Sequence, residues 1–163
     1  MATPASPHVE VTFAPTIRLI TVMRQFVSSF YAAVLGRDAA EMLAMATHEL
    51  LENALKYSAE EGATFKIAVE SGAETDHVTI RIENHADPAQ IEPLREVMAR
   101  MERAADPMAH YLALMRETSS RLEGSGLGLA RLRAEADMKV ALEVDGTRVC
   151  VIAQSEVRKE RSA

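Results

Sequence analysis

The chain predicts an α+β fold: a two-layer sandwich with helices on one face of a mixed, mostly antiparallel sheet. Three observations carry that expectation. Five short segments alternate apolar and polar residues at period two: 8–13, 64–69, 77–82, 139–144 and 147–153. Turn chemistry joins four of them as hairpins, through residues 71–76 and through Asp145-Gly146. Helical periodicity fills the rest, in long stretches before the first hairpin and between the two.

In chain order, residues 1–7 read as a flexible arm and His8 to Phe13 as the first strand. Pro15 and Thr16 start a helix whose apolar residues Leu19, Ile20, Met23, Phe26, Val27, Phe30 and Val34 recur at helical spacing up to Gly36. A second helix runs from near Asp38 to about Ser58, and residues 60–62 close it. Residues 89–123 are helical, broken at Asp106-Pro107 into stretches over roughly 89–104 and 107–121. Their methionines (Met98, Met101, Met108, Met115) suit adaptable packing. A glycine loop then enters a helix ending near Asp137, and the charged tail, 155–163, is expected to fray.

With 163 residues the chain reads as one domain with room for a core. A net charge of −6 argues against nucleic acid as the main partner, because phosphate backbones call for a basic footprint. No apolar run approaches the ~18 residues of a membrane span, and no secretory signal is visible, so a cytoplasmic location is expected. Cys150, in an apolar strand, reads as a small buried hydrophobe.

The chemistry concentrates in two places. On the second helix Leu43, Ala46, Leu50, Ala54 and Tyr57 form the core stripe. Glu49, Asn53 and Lys56 share an adjacent stripe, since residues three and four apart are neighbours on a helix. An amide oxygen is a hard Mg²⁺ ligand, a lysine neutralises phosphate, and a carboxylate can orient or deprotonate a nucleophile. The bland alternative is a solvated face with a Glu–Lys pair. His48-Glu49 also begins a zinc-protease pattern, but position 52 is Glu52 rather than the second histidine.

The second place is Gly124-Ser125-Gly126-Leu127-Gly128-Leu129. Alternate glycines let a ligand approach the backbone, and the following helix offers its positive end to an anion. The loop lacks the Gly-Lys-Ser/Thr of a Walker loop and the strand context of a dinucleotide fingerprint.

Together, in this order, the two motifs resemble the histidine-kinase-like ATPase superfamily, across roughly residues 38–154. That superfamily has a Bergerat-type ATP-binding fold. The stretch from Glu49 to Ser58 is similar to its N box, and Gly124 to Leu129 to its second glycine box. Gly146-Thr147 before a strand resembles its final hairpin. The resemblance implies that Asn53 binds Mg²⁺, that Glu49 is the catalytic base or water-orienting group, and that Lys56 faces phosphates. Gly124, Ser125, Gly126, Leu127 and Gly128 would wrap the phosphates, and Thr147 would sit near the base of ATP. The first glycine box departs from the family pattern. Val78, Ile80 and Ile82 point inward, so Asn84 shares their face and replaces the family's adenine-binding aspartate. An amide accepts that hydrogen bond without charge, and Ala86 and Pro88 stand where glycines are expected. Residues 89–123 correspond to the nucleotide lid.

Only about 37 residues precede the N-box helix, too few for a phosphoacceptor hairpin of a sensor kinase. The format resembles the stand-alone anti-sigma-factor serine kinases of the SpoIIAB-like and SiaB-like types. That resemblance implies a bacterial partner-switching regulator using Mg²⁺ and ATP. It would phosphorylate or sequester a small STAS-like antagonist, or bind a sigma factor, and could form a homodimer. The alternative is a non-catalytic pseudo-kinase module with weakened nucleotide binding.

Overall fold

The computed structural model describes residues 6–118 and 126–159, apart from the side chains of residues 60 and 61. Five strands form one sheet in the order β1-β2-β3-β5-β4. They are β1 (His8–Phe13), β2 (Ser58–Ser71), β3 (Thr75–Ala86), β4 (Lys139–Asp145) and β5 (Arg148–Arg158). All four pairings are antiparallel. The expected α+β sandwich is present, but the parallel component of a mixed sheet is not seen among the described residues. Hairpins join β2 to β3 and β4 to β5, and the α1–α2 pair joins β1 to β2.

Helix α1 (Ile17–Leu35) starts where Thr16 Oγ1 accepts the Leu19 N–H at 3.3 Å. It buries Ile20, Met23, Val27 and Tyr31, one face at helical spacing. Gly36, with φ of 89°, makes the left-handed step into α2 (Arg37–Tyr57). The expected core stripe of α2 is buried at Leu43, Ala46, Leu50 and Ala54, and Thr47 and Leu51 are buried beside it. The Tyr31 hydroxyl meets Thr47 Oγ1 at 3.2 Å, and Thr47 donates to the Leu43 carbonyl at 2.8 Å. Burial holds the Tyr31 phenol well above its ordinary pKa.

Several boundaries differ from the sequence expectation. Helix α2 passes straight into β2 at Ser58, so residues 60–62 lie within a strand instead of closing the helix. The pairing of β2 with β3 is irregular between Ser58 and Ala63, which absorbs this abrupt entry. The tail expected to fray from Ser155 remains paired through Arg158, against Thr75 to Val78. Lys159 Nζ then donates to the Gly72 carbonyl at 2.7 Å and lies 3.4 Å from Asp76. Residues beyond Lys159 lie outside the described ones.

Helix α3 (Pro88–Arg103) begins with only Asp87 between it and β3. The Asp87 side chain accepts the Ala89 N–H at 2.9 Å, and Pro88 occupies the first turn, where its missing N–H costs nothing. Helix α4 (Pro107–Thr118) is capped by Asp106 and packs on α5 (Leu127–Glu135) through Tyr111, Leu114 and Ala130. Met101 is buried and Met98 packs on the core, but Met108 and Met115 are exposed, so the expected methionine packing holds for half of the set. Cys150 is buried as expected, and burial pushes its thiol pKa up. No described helix is long and apolar enough to cross a membrane.

Candidate functional site

Helix α2 lies across the sheet with one stripe at the sheet and the next turned towards α5. Its Asn53 and the Asn84 of β3 line one narrow cavity of about 20 Å³. The walls are apolar: Leu50, Ala54 and Tyr57 from α2, Ile82 and Ala86 from β3, and Val149 and Val151 from β5. Leu129 of α5 and Leu94 of α3 complete it. Asn53 Nδ2 and Asn84 Nδ2 are both buried without a hydrogen-bond partner. Asn84 as a whole is only 7% exposed. A buried unpaired amide costs about 1–3 kcal/mol, so two facing one apolar cavity are a specific feature in need of a partner. The planar, polar-edged base of a purine nucleotide fits that requirement, because a carboxamide both donates and accepts.

Glu49 stands one turn before Asn53 and faces α5. Its Oε1 accepts from Arg131 Nη1 at 3.2 Å, and Arg131 Nε also donates to Glu135 Oε2 at 2.6 Å. The other Glu49 oxygen, Oε2, lies so near Gly128 that a Cβ there would collide with it. Gly126 caps α5 in the left-handed region, with φ of 64°, and Val97 of α3 lies against it. The left-handed conformation at Gly126 favours glycine, whereas at Gly128 a Cβ would only have to displace the end of the Glu49 side chain.

Helix α3 therefore roofs the whole site. Leu94 closes the cavity, Val97 covers the glycine turn, and Met101 anchors the same helix face in the core. An Arg133 hydrogen bond to the Met101 carbonyl ties α5 to the end of α3. The cavity as it stands holds about one water molecule. It is far too small for a nucleotide base.

The expected site residues are only partly brought together. Asn53 and Asn84 share one cavity, Glu49 meets Gly128 across α2 and α5, and Gly126 lies against Val97 of α3. Lys56 is exposed and its Nζ lies 5.3 Å from the Tyr57 ring centroid, outside the cavity lining. Thr147 is exposed and its hydroxyl meets His85 Nδ1 at 3.0 Å. His85 precedes Ala86 and follows Asn84, so it faces away from the cavity. Val149, directly opposite Asn84 in the ladder, lines the cavity. Leu127 packs in the α4–α5 contact. Gly124 and Ser125 lie outside the described residues. Sequence reasoning missed Val149, Leu94, Val97 and Arg131; strand pairing to Asn84 could have found the first. Among the described residues no three His, Cys, Asp or Glu side chains are grouped to hold a metal. A magnesium ion bound chiefly by phosphates needs only one or two protein ligands, and the Asn53 amide is a suitable hard one.

The family model described as histidine kinase-, DNA gyrase B-, and HSP90-like ATPase matches residues 38–157. No curated protein sequence matches the chain. Among solved structures, the chain is similar to one in the crystal structure of the SiaB-SiaC complex from Pseudomonas aeruginosa. The identity is 16%, the match covers 91% of this chain and 89% of the other, and the TM-score is 0.63. At that identity the likeness shows the fold.

Proposed function

Since the chain belongs to the histidine kinase-, DNA gyrase B-, and HSP90-like ATPase family, we propose that it is a partner-switching regulator that transfers a phosphoryl group from ATP to a small protein. The acceptor in this reading is a Ser or Thr hydroxyl of a STAS-like antagonist. The fold likeness to a chain solved in a two-protein complex agrees with a small protein partner. The observation that carries the nucleotide reading is the pair of unpartnered amides, Asn53 and Asn84, in one apolar cavity beside a glycine-entered helix.

In this reading Asn84 and the aliphatic walls take the base. Gly126 and Gly128 stand at the start of α5, whose positive helix end would favour the phosphates. Asn53 holds the magnesium ion, which would neutralise phosphate charge when bound. Glu49 accepts the proton of the incoming hydroxyl as its oxygen bonds to the γ-phosphorus and the bond to the ADP oxygen breaks. Lys56 reaches phosphates only by leaving the Tyr57 ring.

The first test is thermal unfolding with and without Mg·ATP. A ligand of the folded state raises Tm by mass action. Glu49→Ala should then abolish phosphoryl transfer or ATP turnover while keeping the Tm shift; wild-type turnover in that variant rejects the role assigned to Glu49. A second reading, a non-catalytic module that binds its partner through the α3–α4 region, is favoured by the small cavity under Leu94. No Tm shift at millimolar Mg·ATP would select it.

A further inference from the structure

We propose that Arg131 is a positioning residue of this site, holding the Glu49 carboxylate in one orientation at the mouth of α5. The inference rests on the phosphoryl-transfer reading and names a residue outside the two motifs that suggested it. Arg131 lies three residues after Gly128, one turn along the same helix, so both address the same point on α2. The guanidinium takes Glu49 Oε1 on one side and Glu135 Oε2 on the other. Glu135 is the i+4 neighbour of Arg131 on α5, so it braces the cation before Glu49 is engaged. The side chain of Glu49 is 19% exposed, and that of Arg131 38%.

This geometry gives the two Glu49 oxygens different jobs. Oε1 is occupied by Arg131. Oε2 is left against the bare Cα of Gly128, at the point where α5 begins. The Glu135 hydrogen bond, and after it the two carboxylate charges and the Glu49 hydrogen bond, hold the guanidinium above its ordinary pKa, against a lowering by burial. It stays charged throughout the working pH range. A planar fork fixes the carboxylate orientation in a way an ammonium cannot. The nearby cation of α2 offers no substitute, because Lys56 lies over Tyr57. His48, also on α2, is paired with Glu52 at 3.0 Å.

The test has one arm that needs no activity. A double-mutant cycle in thermal unfolding, using Glu49→Gln and Arg131→Ala on the full chain, should be non-additive, the double variant melting no lower than Arg131→Ala alone. Additive losses would overturn the proposal. The second arm measures Mg·ATP turnover. Arg131→Ala should lower kcat by about 10²-fold with KM for ATP within about twofold of wild type. Millimolar ethylguanidinium should restore part of the loss, and Arg131→Lys should restore less than arginine. An unchanged kcat, a change in KM alone, or no rescue would reduce the pair to a structural contact and overturn the positioning role. If Mg·ATP gives the wild type neither a Tm shift nor turnover, the phosphoryl-transfer reading fails and the positioning role fails with it; a coupled cycle would then leave the ion pair itself standing.

Discussion

Asn84 presents an amide to an apolar cavity where leucine would pack at lower free energy. That contrast yields a prediction opposite to the usual effect of a core substitution. Asn84→Leu should raise Tm by a few degrees, since removing a buried unpaired amide recovers about 1–3 kcal/mol, and should abolish the Tm shift caused by Mg·ATP. A lower Tm would mean that the amide has a protein partner. Gly128→Ala separates position from stability in a second way. Alanine favours a helix interior by about 1 kcal/mol, and the colliding atom is the end of a flexible glutamate. Stability should therefore stay within about 1 kcal/mol of wild type by denaturant titration, while turnover falls because Glu49 is displaced. At this scale the sequence was legible where the signal is local. Strand phase placed Asn84 on the inner face, and helix spacing placed Glu49 and Asn53 together. The Arg131–Glu49 pair joins residues 82 apart, and nothing in either neighbourhood announces the other. Thr147 lies two residues before Val149, which stands opposite Asn84 in the ladder.

Helix α3 is the element that covers the cavity, through Leu94, and the Gly126 turn, through Val97. Its amphipathic spacing was readable, but amphipathicity says only that Leu94, Val97 and Met101 cover something. What they cover follows from the direct junction of β3 and α3, where Asp87 alone separates strand from helix. Ala86 and Pro88 stand where glycines would have made a pliant loop, and they make the roof abrupt and close. Leu94→Ala should destabilise the fold by about 1–2 kcal/mol, less than a fully buried leucine because Leu94 is half-buried, and speed nucleotide association in stopped-flow mixing. Unchanged association would show that α3 does not gate entry. Helix α4 carries a pH dependence. Burial, then Arg100 and Arg133, lower the His110 pKa, with Glu117 opposing. A histidine with a depressed folded pKa contributes stability that is complete above its unfolded value of about 6.5 and is lost as pH falls through the lower folded value. Acidification should thus lower the protection factors of α4 amides, after correction for the intrinsic exchange rate, and His110→Gln should remove that dependence. The strand ends were the least readable feature. Ser155 to Arg158 look like a charged tail until Thr75 to Val78 are placed alongside them.

For the molecule as a whole, one antiparallel sheet and the α1–α2 pair build a core that does not depend on the nucleotide site. Phe65, Ile67, Ile80 and Leu43 are fully buried away from the cavity lining. The fold class was legible because hairpin turns and period-two alternation are local and repeated. The layering of α3 over α2 and α5 was not, since it depends on side-chain contacts distant in sequence. In the proposed function the Asn53–Asn84 cavity belongs to a nucleotide site, with Asn84 at its base end and Asn53 towards the phosphates. Isothermal titration of the full chain with ATP and ADP, with and without Mg²⁺, tests it most directly. The account predicts micromolar binding that requires Mg²⁺ for full strength, weakens in Asn84→Ala, and loses its Mg²⁺ dependence in Asn53→Ala. Absence of binding up to millimolar nucleotide, or binding indifferent to both substitutions, would contradict it.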